Sequence, residues 1–194
     1  MKTNRTYRRL LVIALLSLAA REGLGQQTYY FVNKNAPVFD AQGNRLAGAN
    51  YAAMLYWGAT PDVLTPAFAA ASSTMLMTPA LFTLQINGMD GYFFQHYVNA
   101  QICPPAVPWL QVRAWDLRLG ATYENVLSQN IGGYGVSPIF QTPGGDGCSF
   151  LTPEIPRSLV GLQSFSLSPV VPEPSAALLL LLGVPWLIWR CRTR

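Results

Sequence analysis

Histidine is nearly missing from this sequence: His96 is the single one in 194 residues, and it sits inside an aromatic run at 92–98. That scarcity excludes the H-E-x-x-H zinc helix, which needs two histidines one turn apart. The Gly-x-Ser-x-Gly elbow of serine hydrolases is absent too. Cysteine is thin, with three residues and no zinc-ligand spacing among them. No internal repeat at a fixed period is visible, which excludes solenoids and propellers. A basic stripe is also missing from the interior. Of thirteen basic residues, five precede Gln26 and three follow Pro174, leaving five against seven acids between Gln26 and Val171, a charge near −2. The whole-chain charge of +4 therefore belongs to the two ends and gives no support for nucleic-acid binding.

What is present at those ends is hydrophobicity. Lys2, Arg5, Arg8 and Arg9 precede an apolar stretch at 10–20, and Gly23-Leu24-Gly25 offers small residues where signal peptidase tests them. Residues 1–25 are expected to be a signal peptide and Gln26 the mature start; cleavage after Ala19 or Ala20 is the alternative. At the other end, Val171-Pro172-Glu173-Pro174 leads into an apolar run at 175–189, followed by Arg190, Arg192 and Arg194. As a helix those fifteen residues reach roughly 22 Å at about 1.5 Å each, short of the roughly 30 Å of bilayer hydrocarbon. Gly183 and Pro185 weaken the second half further, which suits a segment that is recognised and removed. A plain single-pass anchor remains the other reading. The arginines are expected on the cytoplasmic side, which places the preceding chain across the membrane.

A Val-Pro-Glu-Pro motif before a leucine-rich segment and an arginine tail resembles the PEP-CTERM sorting signal, on about 24 residues, 171–194. The resemblance is carried by Pro172, Glu173 and Pro174. It implies a protein exported by a Gram-negative bacterium that makes extracellular polysaccharide. It also implies an exosortase, an intramembrane cysteine transpeptidase-like enzyme, as processing partner, and the cell surface or extracellular matrix as destination. The middle of the chain, through Pro37-Val38-Phe39-Asp40, Arg45-Leu46-Ala47-Gly48, Val112-Arg113-Ala114-Trp115-Asp116 and Gly120-Ala121-Thr122-Tyr123-Glu124, resembles ectodomains that often carry this tail and have no assigned activity.

Residues 26–170 make one domain, large enough for a real core. Its periodicity is that of strands. Phe82, Leu84 and Ile86 share one face of a strand, as do Leu110, Val112 and Ala114. The run 51–57 is apolar on both faces, as a central strand covered on each side would be. Asn87-Gly88-Met89-Asp90-Gly91 reads as a hairpin loop. A short helix is predicted over 122–129, capped by Thr122, with Glu124 in its first turn and Tyr123, Val126 and Leu127 on one face. The stretch 161–169 should supply the last strand, with Phe165 and Leu167 inward. The expected architecture is all-β: an antiparallel β-sandwich of about seven or eight strands with one short helix.

Export puts Cys103 and Cys148 in an oxidising compartment, where a pair is expected to be a disulfide. Closing a loop of about 45 residues would stabilise the fold by roughly 4 kcal/mol. Catalysis has little to build on. A serine–His96–carboxylate triad would draw on Asp40, Asp62, Asp90 or Asp116, and a carboxylate pair on Asp116 and Glu124. Neither has a supporting motif, so a non-enzymatic domain without cofactor is expected, a hydrolase being the weakest alternative. Asp40, Gln42 and Asn44, or Asp146 within Gly144-Gly145-Asp146-Gly147, have the oxygen spacing of a calcium loop. The same residues also make ordinary hairpin turns and lack the bidentate glutamate of a calcium hand, so no metal is expected. Eight aromatics, Tyr29, Tyr30, Tyr56, Trp57, Tyr92, Tyr97, Trp109 and Trp115, offer flat faces to sugar rings if they point outward. Strand alternation puts Trp115 on the side of Gln111 and Arg113, making Trp115 with Arg113 the candidate ligand-binding pair of a carbohydrate-binding module; a place under a loop, or a cation–ring pair with Arg113, is the competing reading. The leading expectation is a structural or adhesive surface protein.

Overall fold

The computed structural model describes residues 26–70, 75–82, 90–148 and 154–171, with the side chains of 94–96 left aside. The signal-peptide and sorting-signal segments, the strand positions Leu84 and Ile86, and most of the 87–91 hairpin lie outside the described residues. Among them run β1 (Gln27–Val32), β2 (Val38–Phe39), β3 (Gly48–Thr60), β4 (Val63–Pro66), β5 (Phe68–Ala69), β6 (Ala80–Phe82), β7 (Phe94–Ala100), β8 (Trp109–Asp116), α1 (Tyr123–Gln129), β9 (Tyr134–Val136), β10 (Phe140–Gln141), β11 (Gly145–Asp146), β12 (Arg157–Ser158) and β13 (Phe165–Ser166).

The longest strand, β3, pairs antiparallel with β8 from Tyr51↔Asp116 to Gly58↔Trp109. Around this pair a six-stranded sheet is built in the order β10-β8-β3-β4, with β6 also on β3 and β9 also on β8. A five-stranded sheet follows the order β11-β1-β7-β5, with β12 alongside β1. Pairing is antiparallel except for β12 on β1 and β13 on β2, which are parallel. Where seven or eight strands are expected, the described residues form thirteen, most of them short. Ser137 and Pro138 show why: they interrupt what would be one strand through β9 and β10. The Ser137 hydroxyl accepts from the Val112 amide at 3.0 Å across the break, so the ladder partner is kept without the strand geometry.

The two sheets feed one core. Tyr29 and Phe31 from β1, Val98 and Ala100 from β7, Ala53 and Leu55 from β3, and Leu110, Val112 and Ala114 from β8 are buried in a single cluster. The alternation of Leu110, Val112 and Ala114 is the expected one. β3 and β8 are covered on their second face too, where Ala52 and Trp115 pack with Tyr123 and Val126. That double cover is the reason the run 51–57 is apolar on both sides.

The roof on that second face is α1. Thr122 caps it in extended conformation, its hydroxyl accepting from the Asn125 amide at 3.2 Å, and Asn130 ends it in the left-handed region. Tyr123 and Val126 point down, whereas Leu127 is exposed, one residue off the predicted face. The chain's last described stretch is sewn to β9. The Leu167 amide donates to the Phe39 carbonyl, Gly133 to Ser168, Ser168 to Tyr134, and Val171 to Ile131 at 2.7 Å. Two glycines make that seam possible. A Cβ on Gly132, whose φ is +92°, would sit 1.9 Å from the Pro169 carbonyl oxygen, and one on Gly135 2.3 Å from that of Ser166. Phe165 and Leu167 are buried, as expected of the terminal stretch, although only two of its residues form a regular strand.

Candidate functional site

Trp115 is corrected by its surroundings. Alternation along β8 does put it on the side of Gln111 and Arg113, but α1 covers that side at this level and leaves Trp115 1% exposed. A buried indole stacks on no ligand. Arg113, two residues nearer the open end of the same face, lies instead over the Tyr56 ring at 3.9 Å from its centroid and near Tyr123 at 5.1 Å. The cation–ring pair expected of Arg113 is therefore formed with these tyrosines, not with Trp115.

Around Arg113 a small polar cluster closes. The Tyr56 hydroxyl donates to Glu124 Oε1 at 2.6 Å. The Arg113 guanidinium stands 3.7 Å from the same oxygen, with its side chain 20% exposed. Its Nε donates to Gln111 Oε1 at 3.0 Å, and Gln111 Nε2 donates in turn to the Ser137 carbonyl. Burial first, then the hydrogen bond to Glu124 and its charge, push the Tyr56 phenol well above its ordinary 10.0, against the opposing pull of Arg113. Burial pushes Tyr123 upward as well. This cluster ties α1 to the sheet, and its rings are spent on Arg113.

The carboxylates expected for other chemistry are also engaged. Asp116 is buried and binds Arg118 through Nε at 2.9 and 3.1 Å and Nη2 at 2.5 Å, besides accepting the Arg118 amide. Asp40 holds its own hairpin: its carboxylate accepts from the Gln42 amide at 2.9 Å, the Asn44 amide at 2.8 Å and Asn44 Nδ2 at 3.1 Å. Slight desolvation would raise its carboxyl, but these bonds and one from Gly43 outweigh it and hold the group below the usual carboxylate range. The Asp40–Asn44 loop is thus a turn folded on its aspartate. Asp146 Oδ1 likewise accepts from the Cys148 amide at 2.8 Å. Among the described residues no group of three or more His, Cys, Asp and Glu side chains is placed to hold a metal ion. The side chain of His96 lies outside the described residues.

Cys103 and Cys148 form a disulfide, with Cα atoms 5.9 Å apart. It joins the loop before β8 to the loop after β11. Gln27, whose role no sequence pattern signals, reinforces the same junction from inside. Fully buried, it donates to the Ala106 carbonyl and accepts from the Gly144 amide at 2.7 Å and the Tyr29 hydroxyl at 3.1 Å.

Of the eight aromatics, Tyr29, Tyr56 and Trp115 are buried, and Tyr30, Trp57, Tyr92 and Trp109 are partly covered. Tyr97 is the open one, 50% exposed on β7, with its ring 5.6 Å from that of Tyr30 across the β1–β7 pair. Cross-strand pairing makes this couple, which linear spacing between residues 30 and 97 does not signal. Comparison with family models, curated proteins and solved structures gives no match to this chain.

Proposed function

We propose that the chain is an exported cell-surface or extracellular-matrix protein whose domain makes structural or adhesive contacts and carries out no catalysis. On this reading signal peptidase removes residues 1–25. The segment 171–194, through Pro172, Glu173 and Pro174, holds the precursor at a membrane until an exosortase-type enzyme processes it. The two sheets are then the halves of an antiparallel sandwich. The observation that carries the reading is the Cys103–Cys148 disulfide, consistent with an oxidising, extracytoplasmic compartment. The engaged state of Asp40, Asp116 and Glu124 agrees with it, since each carboxylate serves a structural bond.

Fractionation of cells expressing three forms tests the proposal: the full chain, a truncation after Val171, and a Pro172→Ala/Pro174→Ala variant. The truncation keeps the Val171 amide on the Ile131 carbonyl and so leaves the seam whole. It should be released in soluble form, the variant should accumulate as an unprocessed membrane-held precursor, and the full chain should be processed. Identical behaviour of all three would overturn the processing scheme.

The second reading, a carbohydrate-binding module, is favoured by one observation, the exposed Tyr97 ring beside the partly covered Tyr30. It predicts glycan-array binding that Tyr97→Ala abolishes. Trp115→Ala is not a test, because that ring is buried.

A further inference from the structure

We infer that in the membrane-held precursor the domain stands on the bilayer surface by one defined pole, formed by Ile131, Val170 and Val171 beside Arg118, with the disulfide pole turned away from lipid. The inference rests on the membrane-held reading above and adds an orientation and a contact surface to it.

The geometry begins with the seam. Val171 is the last described residue, and its amide is bonded to Ile131. Only Pro172, Glu173 and Pro174 separate it from the apolar run that starts at Ser175. Even fully extended, four residue steps span at most about 14 Å. The headgroup layer takes roughly 6 Å of that. The pole from which the chain leaves is therefore held within about 8 Å of the lipid surface.

The opposite pole is out of reach. The Asp116 amide donates to the Gly133 carbonyl, and Gly133 bonds Ser168, so the exit lies at the Asp116 end of β8. At the other end Trp109 faces Gly58, and β4 with Val63 follows. Seven residue steps of β8 separate the two ends by about 23 Å. The disulfide belongs to that far end, since Gln141 pairs with Trp109 and bonds Val107, while the Gln26 carbonyl meets Cys148 and the adjoining Gln27 reaches Ala106. Because 23 Å exceeds the whole tether, the domain can tilt but cannot invert.

The near pole also has the chemistry of an interface. Val170 and Val171 are 47% and 62% exposed, and Val170 lines an open cleft with Tyr51, Ser168, Arg118 and the carboxylate residues Asp40 and Asp116. Exposed valines beside a tyrosine suit the boundary between acyl chains and headgroups, while the Arg118 charge is balanced by Asp116.

The test places a nitroxide on the membrane-held precursor as it stands after removal of residues 1–25, Gln26 to Arg194, in a Cys191→Ser background, reconstituted in vesicles of phosphatidylethanolamine and phosphatidylglycerol. One label goes on Val170→Cys and the other on Val63→Cys, a far-pole residue whose exposure is 67% against 47% for Val170, so each label is compared with itself on the vesicle-free chain. Val170 should lose most of its collisions with a water-soluble nickel chelate while Val63 keeps them. A flexible glycine–serine spacer inserted between Val171 and Pro172 should restore collisions at Val170. If the chain floats with the vesicles but both labels are equally open, or if the spacer changes nothing, the orientation is overturned and the membrane-held reading stands. A chain that does not float overturns both.

Discussion

Gln27 shows how much one buried amide does here. It holds an amide of one loop and a carbonyl of another, 117 and 79 residues away in sequence. Gln27→Leu keeps the volume but leaves the buried Gly144 amide without its acceptor, and a buried unsatisfied group costs about 1–3 kcal/mol. The expected outcome is a loss of about 2 kcal/mol, read as a lower urea midpoint at unchanged slope. The tyrosines predict the alkaline behaviour. Burial raises Tyr29 and Tyr56 above the unfolded value of 10.0. Above pH about 10 the unfolded chain therefore releases phenolic protons that the folded chain retains. Their contribution is whole below that pH and is lost as pH rises toward the folded values, so stability must fall on the alkaline side. Ultraviolet titration should show these two phenols ionising only together with unfolding; early ionisation of all tyrosines in the folded protein would contradict it.

At the scale of elements, the disulfide and the helix are the parts most readable in advance. Thr122 as cap and Glu124 in the first turn are local signals, and the local hydrogen bond they predict is formed. The Cys103–Cys148 bridge spans 45 residues. Replacing both cysteines by alanine should cost about 4 kcal/mol in guanidinium unfolding. The unprocessed chain, with three cysteines, should titrate one thiol before reduction and three after it. What the helix covers was not legible. The alternation of Gln111, Arg113 and Trp115 is correct as a face, but whether that face meets water depends on where residues 122–129 return, and no short-range pattern encodes that return. The strands broke up for a similar reason: Pro138, the positive-φ glycines and the wide loops cut edges into pieces that periodicity alone joins.

For the whole molecule, the shared core is the feature that makes two sheets one cooperative unit. Leu55 is fully buried in the cluster that also takes Tyr29, Val98 and Val112. Leu55→Ala should therefore lower stability by about 2–5 kcal/mol and should destabilise both sheets together. Far-ultraviolet circular dichroism and tryptophan fluorescence should give coincident melting curves; separate transitions would show that the sheets hold themselves independently. The same core fixes the polarity of the domain, with Gln26 near the disulfide at one end and Val171 at the other.

Read alone, the sequence determined what depends on neighbours along the chain: the β periodicity of 51–57 and 110–114, the cap of the helix, the turn at Asp40, and the two cysteines that an oxidising compartment would join. Tertiary structure decided what depends on which distant segments meet. It buried Trp115 under α1, gave Arg113 the Tyr56 ring, made Gln27 a junction, opened Tyr97, and drew the end of the domain onto β9. Hydrogen bonding and alternation act over a few residues and are written locally. Burial is a property of a packed whole, and a side chain's exposure is settled only when every element that covers it is in place.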